Sequence, residues 1–242
     1  MALSRQVHAE WLDTLAPDDP RAIRSRNDLR RLNRLMATSS LIRKPLDALL
    51  RGSSTVRLVE LGAGDGQMLL RIARHHARCW PKVRLRLLDM EPVVSAQTLA
   101  SYRALGWEVE VIRADVFDWL AQVHSGAAPV IVANLFMHHF ERDRLRALLN
   151  GIATQASAFL CCEPRRSALA LTFSRLLGAI GCNEVTRHDA VASVRAGFSA
   201  QELSASWPQT GAWSLHEGPA GLFSHRFQAV SNEFETRSNR IP

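Results

Sequence analysis

The string VELGAGDGQ (59–67) contains the residues best suited to bind a ligand. A strand that ends in glycines lets backbone N–H groups come close to a bound molecule, because glycine has no Cβ atom. The spacing Gly62-x-Gly64-x-Gly66 departs from the dinucleotide fingerprint G-x-G-x-x-G, which would need a glycine where Gln67 stands. The string also lacks the GK[ST] ending of a phosphate-binding P-loop.

Glu60 lies inside the predicted strand, directly before the glycine turn. A carboxylate at this place would repel a pyrophosphate, but it suits a ligand that carries an amino group. The string therefore favours a cationic ligand with an amino group. The alternative, that the three glycines only form a tight turn, stays open from the residues alone.

The segments that position this string alternate between short apolar runs and helical patterns. Runs typical of strands cover 55–61, 83–89, 108–115, 129–136 and 158–163, and helical patterns lie between them, for example at 94–104, 145–152 and 166–180. Repeated strand–helix units predict parallel strands joined by right-handed crossovers. We therefore predict an α/β fold with a Rossmann-like, doubly wound sheet.

Both ends of the chain differ from this pattern. Residues 211–217 and 221–230 read as an antiparallel hairpin that turns at Gly218-Pro219-Ala220. The first fifty residues predict helices at Val7–Leu15, Asp28–Met36 and Pro45–Leu50, with a break at Pro17 to Pro20. We predict a helical cap or lid (1–50), a ligand-binding domain (51–231) with a lid insertion at about 181–208, and a flexible tail (232–242).

The glycine string resembles the first motif of class I S-adenosyl-L-methionine-dependent methyltransferases, which reads acidic-x-G-x-G-x-G. Further motifs of that family match LLDMEP with Asp89, Ala114-Asp115-Val116, and ANLFMHHF (133–140). The resemblance implies a seven-stranded sheet with an antiparallel C-terminal hairpin, and S-adenosylmethionine as cofactor with S-adenosyl-L-homocysteine as product. It implies these cofactor-binding residues: Glu60, Gly62, Ala63, Gly64, Asp65, Gly66, Asp89, Met90, Asp115, Val116, Asn134 and Leu135.

Methyl transfer to a hydroxyl is helped by a base, and the resemblance places His138 and His139 beside the reacting groups. At most one of them is expected to be the base, since adjacent side chains point apart. The alternative is that both histidines only pack in the fold or cap the next helix.

The residues after the fourth strand, Asn134-Leu135-Phe136-Met137, depart from the (Asn/Asp)-Pro-Pro-aromatic sequence of amino-methylating members. This argues against methylation of nucleic-acid bases or protein amides. No acidic ligand cluster is evident, so we predict no metal.

A looser resemblance to bacterial polyketide- and quinone-pathway methyltransferases indicates a lid formed by 28–36 and 187–203. It implies these candidate acceptor contacts: Arg30, Asn33, His188, Asp189 and Arg195. We expect a small hydrophobic acceptor methylated on a phenol, enol or carboxylate oxygen. One alternative is methylation of an activated aromatic or enol carbon. Another is a regulatory or RNA-associated protein that binds S-adenosylmethionine without turnover.

The 242 residues carry 30 Lys+Arg against 23 Asp+Glu, a net charge of +7. Such an excess points to nucleic acid or another anionic surface. However, the basic residues are dispersed and not interleaved with aromatic residues, so no nucleic acid is expected as a partner.

The four cysteines form no CxxC pair and are expected to be buried, reduced thiols. No apolar run is long enough to span a membrane, and we predict a cytoplasmic protein; oligomeric state is not predicted.

Overall fold

The computed structural model describes residues 3–50, 55–76, 79–80, 82–122 and 126–238. Its strands are β1 (Thr55–Leu61), β2 (Lys82–Asp89), β3 (Glu108–Arg113), β4 (Val130–Asn134), β5 (Ala158–Pro164), β6 (Trp213–Ala220) and β7 (Ser224–Ser231). They form one seven-stranded sheet in the order β3-β2-β1-β4-β5-β7-β6. The pairs among β1 to β5 are parallel, whereas β7 pairs antiparallel with β5 and β6. The predicted fold class is confirmed.

Ten α-helices surround and extend the sheet in the described part of the chain. They are α1 (Pro20–Leu35), α2 (Thr38–Leu50), α3 (Gln67–His76), α4 (Ala96–Ala104), α5 (Val116–Leu120), α6 (Arg142–Gln155), α7 (Ala168–Arg175), α8 (Glu184–Ala196), α9 (Glu202–Ser206) and α10 (Asn232–Ser238). Short 3-10 helices cover Leu12–Thr14, Met137–His139 and Leu177–Ile180.

Both faces of the sheet are covered, which explains why its central strands are almost continuously apolar. Along β1, Leu58 belongs to the core on one face, while Val59 and Leu61 belong to the core on the other. The strand order reverses between β1 and β4, and ligands of open α/β sheets bind at such a reversal, beyond the carboxyl ends of the strands. The glycine turn follows β1 at this place.

The predicted helix at Val7–Leu15 is wrong, because only Leu12–Thr14 makes a single 3-10 turn. The N-terminal segment, defined here as residues 3–15, instead forms hydrogen bonds with distant parts of the chain. Gln6 N–H donates to the carbonyl of Arg195 at 3.1 Å, and Arg5 Nε donates to that of Ala196 at 2.7 Å. These tertiary hydrogen bonds replace the ones that a helix would have made.

The next two helices begin earlier than predicted. Asp19 caps α1 by accepting from Arg21 N, and Pro20 occupies the first turn, where a missing N–H costs nothing. The periodic pattern starting at Asp28 therefore covers only the second half of α1. Helix α2 begins at Thr38 and contains Pro45 in its interior, so that proline does not mark its start.

The C-terminal hairpin forms as predicted, but its turn is displaced. Residues 218–220 belong to β6, and the turn is at 221–223. The tail predicted to be flexible forms α10 up to Ser238, while residues 239–242 lie outside the described part.

Cys79 is exposed, contrary to prediction, whereas the other three cysteines are buried and all four are free. Among the described helices, none is both long and apolar enough to cross a bilayer.

Candidate functional site

The glycine turn needs glycine because of its backbone conformation. Gly62, Gly64 and Gly66 have φ angles of 65°, 53° and 68°, in the left-handed region that other residues avoid. A Cβ atom on Gly62 would lie 2.5 Å from Cδ2 of Phe136. A Cβ atom on Gly64 would meet no described atom within 4 Å, so the backbone there faces open space. The turn thus exposes its backbone at the carboxyl edge of β1.

Asp89 joins the carboxyl ends of β1 and β2. Its Oδ2 accepts from the N–H of Gly64 at 2.8 Å, and its Oδ1 accepts from the N–H of Glu91 at 2.8 Å. Each carboxylate oxygen has two lone pairs, so each can accept one more hydrogen bond from a ligand. Two adjacent hydroxyl groups, such as those of a ribose, would use these lone pairs.

Three buried acceptor atoms near the carboxyl edge and α1 have no hydrogen-bond partner among the described residues. They are Glu60 Oε2, Asn134 Oδ1 and Asn33 Oδ1. Burial, followed by the nearby carboxylates of Asp65 and Asp89, raises the pKa of Glu60 well above its usual value. An unpaired buried polar group costs about 1–3 kcal/mol. A ligand with a cationic amino group would remove this cost by donating to Glu60.

The remaining predicted cofactor residues also border this edge. Asp115 caps α5 by accepting from Phe117 N at 2.7 Å, and Val116 is buried behind it. The exposed Met90 follows Asp89, and Leu135 follows β4 with a φ of 53°. The fold therefore collects residues from the ends of four strands, and their contact with a cofactor stays a prediction.

A buried histidine between two carboxylates lies directly after β4. His138 Nδ1 lies 2.7 Å from Glu163 Oε2, and its Nε2 lies 3.3 Å from Glu10 Oε1. The Glu163 carboxylate also accepts the backbone N–H groups of Phe136, Met137 and His138. Glu163 fixes the backbone of this 3-10 helix, whereas Glu10 reaches His138 from the N-terminal segment.

The two adjacent histidines have opposite protonation tendencies. Burial by itself lowers the pKa of His138, but hydrogen bonds to Glu10 and Glu163 outweigh it and raise that pKa to about 9. Burial and the charge of His138 lower the pKa of His139 below its usual value. At neutral pH, His138 is therefore a cation bound to two carboxylates, and His139 is a neutral imidazole able to accept a proton.

We expect stability to depend on pH through His138. Its folded pKa of about 9 exceeds the unfolded value of about 6.5, so its contribution is complete below pH 6.5 and is lost as pH rises through 9. The shift corresponds to ~3 kcal/mol. Urea unfolding between pH 6 and 10 should show this decline for the wild type and a flatter curve for His138→Gln. Equal slopes for both proteins would contradict the shift.

The same histidines can be compared with a metal site. One ligand atom each from Glu10, His138 and His139 lies within 4.8 Å of the others. Both ring nitrogens of His138 face carboxylates, so within this cluster His138 is engaged in ion pairs. The absence of a metal remains a prediction, and loss of activity on dialysis against a chelator would contradict it.

The predicted acceptor contacts lie in two different environments. Arg30 Nε lies 2.6 Å from Asp65 Oδ2, which ties α1 to the glycine turn. Asn33 lies one turn further along α1. The arginine thus holds α1 against the turn, and both the lid role of α1 and the contact of Arg30 with an acceptor stay predictions.

The other predicted acceptor contacts hold the N-terminal segment. The carboxylate of Asp189 accepts the N–H groups of Trp11 and Leu12 at 2.8 and 3.0 Å. The ring of His188 stacks on Trp11 with centroids 4.0 Å apart, and the Arg195 backbone binds the same segment. Their contact with an acceptor also stays a prediction.

Two residues of the site, Glu10 and Glu163, were not anticipated from the sequence. Glu163 could have been found as the acid near the carboxyl end of β5, next to the end of β4. Glu10 had no such signal, because it lies 128 positions from His138 in a segment expected to be helical. Only tertiary contact brings it to the histidine.

Comparison by sequence gives a limited result. No family model matches the chain. Porphobilinogen deaminases of Burkholderia species match, that of Burkholderia thailandensis with 35% identity over 133 residues. The matched stretch covers 49% of this chain and only 40% of that relative's length. The match is too partial to show a family or an activity.

Comparison by structure gives a consistent result. An O-methyltransferase family protein from Burkholderia thailandensis has a TM-score of 0.60 and 18% identity, over 88% of this chain and 61% of that chain. The plantazolicin methyltransferase BpumL, solved with S-adenosylhomocysteine (SAH), has a TM-score of 0.63 and 13% identity, over 89% and 92%. The mitomycin 7-O-methyltransferase MmcR has a TM-score of 0.56 and 18% identity, over 91% and 60%. The sheet order, the glycine turn and these neighbours together show that the chain has the fold of the class I S-adenosylmethionine-dependent methyltransferases.

Proposed function

We propose that this protein is a methyltransferase that uses S-adenosylmethionine to methylate an oxygen of a small hydrophobic molecule. The observation that carries the proposal is the pair of partnerless buried acceptors, Glu60 Oε2 and Asn134 Oδ1, beside a glycine turn with an open backbone. Similar folds that were solved with SAH support the same cofactor. The cofactor would supply a methyl group on a positively charged sulfur.

The residues present fit this cofactor in three parts. Glu60 would accept a hydrogen bond from the amino group of the cofactor. The turn at Gly62–Gly66 would lie against the amino-acid portion of the cofactor. Asp89 has lone pairs for both ribose hydroxyls while it holds Gly64. Met90, Asp115 and Val116 border the place where the adenine would lie.

His139 is our choice for the general base. Its lowered pKa keeps the imidazole neutral at pH 7, and its side chain is 27% exposed, so a proton can reach it. Its Nδ1 lies 3.5 Å from Asp13 Oδ2. His138 is charged and bound on both sides, so it positions the backbone of its neighbour instead.

The charges around the histidines favour a neutral acceptor. Glu10, Asp13, Glu163 and Asp189 surround this region through the contacts described above. A carboxylate acceptor would be repelled by them, whereas a phenol or enol would not. We therefore place a polyketide- or quinone-like phenol or enol first among acceptors.

We place the protein in the cytoplasm, because its four free thiols suit a reducing compartment.

Two alternatives, methylation of carbon and cofactor binding without turnover, can be told apart from oxygen methylation by the product that is formed. A base next to the methyl donor would also serve methylation of an activated aromatic or enol carbon. Incubation with labelled S-adenosylmethionine and the host's small-molecule extract, followed by fragmentation of the labelled product, separates oxygen from carbon methylation. Cofactor binding with no labelled product from any extract would favour the regulatory or RNA-associated alternative.

We expect S-adenosylmethionine and SAH to raise the melting temperature. A ligand at one hundred times its dissociation constant adds about 2.7 kcal/mol to the free energy of unfolding, about 5–10 °C for a chain of this size. Thermal unfolding with either compound, and with NAD as the control nucleotide, measures this effect. A chain unaffected by both compounds, or stabilised equally by NAD, would refute the cofactor assignment.

A further inference from the structure

An exposed apolar ridge runs along α7 and the 3-10 helix that follows it. It consists of Leu169, Phe173, Leu176 and Ile180. Leu169 and Phe173 lie one turn apart on α7, Leu176 and Ile180 follow at its end and in the 3-10 helix, and Leu176 is 60% exposed. Phe223, in the β6–β7 turn, stacks on Phe173 with centroids 4.6 Å apart, which brings the exposed Leu222 to the same surface. Large exposed apolar surfaces mark interaction sites.

Helix α1 lies directly beside this ridge. Arg31 Nη2 donates to the carbonyl of Ile180 at 3.0 Å, and Leu32 packs against Leu177. The outward side of α1 carries what we call the arginine face, which consists of Arg24, Arg31 and Arg34. Leu35, 70% exposed, lies one turn beyond Arg31 and adds an apolar side chain next to the arginines.

This combined surface carries more cations than exposed acids. Residues 20–46 include one acid, Asp28, which is buried and bonded to Arg31 and to the backbone of Asn183. Residues 164–183 contain no acid, although the exposed Glu184 follows directly, and of their three arginines Arg166 is buried and paired with Glu202. Among the described residues, neither Arg24 nor Arg34 makes an ion pair. The surface is therefore apolar along one helix and positively charged along the next.

We propose that the apolar ridge and the arginine face bind the surface of an anionic lipid bilayer. Apolar side chains of such a surface enter the boundary between headgroups and acyl chains, and guanidinium groups bind the lipid phosphates. This is attachment to one leaflet, which needs no membrane-spanning helix. It does not depend on methyl transfer, and it gives part of the net charge of +7 a role.

Charge argues against two other occupants of this surface. In a two-fold dimer formed through this surface, the two arginine faces would approach and repel each other. A nucleic acid would bind the arginines, but its phosphates offer nothing for the four residues of the apolar ridge. An anionic bilayer is complementary to both parts.

Flotation with lipid vesicles tests the proposal on the full chain. We expect it to bind vesicles of phosphatidylcholine and phosphatidylglycerol at least tenfold more tightly than phosphatidylcholine alone. Leu176→Glu should abolish binding. Arg24→Glu and Arg34→Glu should each weaken it about fivefold or more, since one basic residue near such a surface contributes about that factor. Arg146→Glu, on the exposed side of α6, is the matched control and should bind like the wild type.

Three outcomes would overturn the proposal. The first is wild-type protein that stays with buffer at low salt in the presence of anionic vesicles. The second is equal binding by the wild type and Leu176→Glu, with folding of both verified by circular dichroism. The third is a dimer in light scattering that Leu176→Glu converts to a monomer, without any vesicle binding by the wild type.

Discussion

Asp89→Ala is expected to weaken S-adenosylmethionine binding about 100-fold or more. The carboxylate would lose two hydrogen bonds to ribose hydroxyls, each worth about 1.5–3 kcal/mol for a charged acceptor. It would also release the N–H of Gly64, which it now holds at 2.8 Å, so the glycine turn would loosen. Isothermal titration calorimetry measures the change in Kd.

The matched control for this experiment is Asp118→Ala. Asp118 is an exposed acid in the first turn of α5, and its replacement removes the same charge without touching the glycine turn. We expect its affinity to stay within twofold of the wild type. Asp89→Asn keeps one oxygen acceptor, in its amide carbonyl, so its affinity should fall between the two. Unchanged affinity in a folded Asp89→Ala protein would show that the cofactor lies elsewhere.

His139→Gln is expected to reduce turnover about 100-fold or more while sparing cofactor affinity, because general-base catalysis contributes about 10²–10⁴-fold. Below the pKa of His139, which lies under its ordinary value, the imidazole is protonated and cannot accept a proton. Wild-type kcat should therefore fall at acid pH and level off near neutrality. The measurement is kcat against pH, with the acceptor identified by labelling.

His138→Gln distinguishes the base from its positioning neighbour. This change removes a cation between Glu10 and Glu163, so we expect lower stability and moderately lower kcat, with the acidic limb of the pH profile retained. In His139→Gln that limb should disappear. If His139→Gln keeps both turnover and the acidic limb, His139 is not the base, and loss of the limb only in His138→Gln would transfer the role to that residue.

Local sequence signals predicted the sheet well because each strand carries its own pattern. The run 55–61 is apolar at Val56, Leu58, Val59 and Leu61, which pack on both faces of the sheet, and this run matched β1 residue for residue. The glycines at 62, 64 and 66 were equally clear, because a positive φ angle is a property of single residues. The predicted helix at Val7–Leu15 failed because its hydrogen bonds go to distant partners.

The sequence by itself determined the fold class, the glycine turn and the two adjacent histidines near the end of β4. Only the tertiary structure decided what those histidines can do. It brings Glu10 from the N-terminal segment and Glu163 from β5 to opposite sides of one imidazole, which makes His138 a cation. It also buries His139, and this burial together with the charge of His138 lowers the pKa of His139. Two identical side chains in adjacent positions carry no sequence signal of this difference, since a pKa depends on burial and nearby charges, which are set by contacts between residues far apart in the chain.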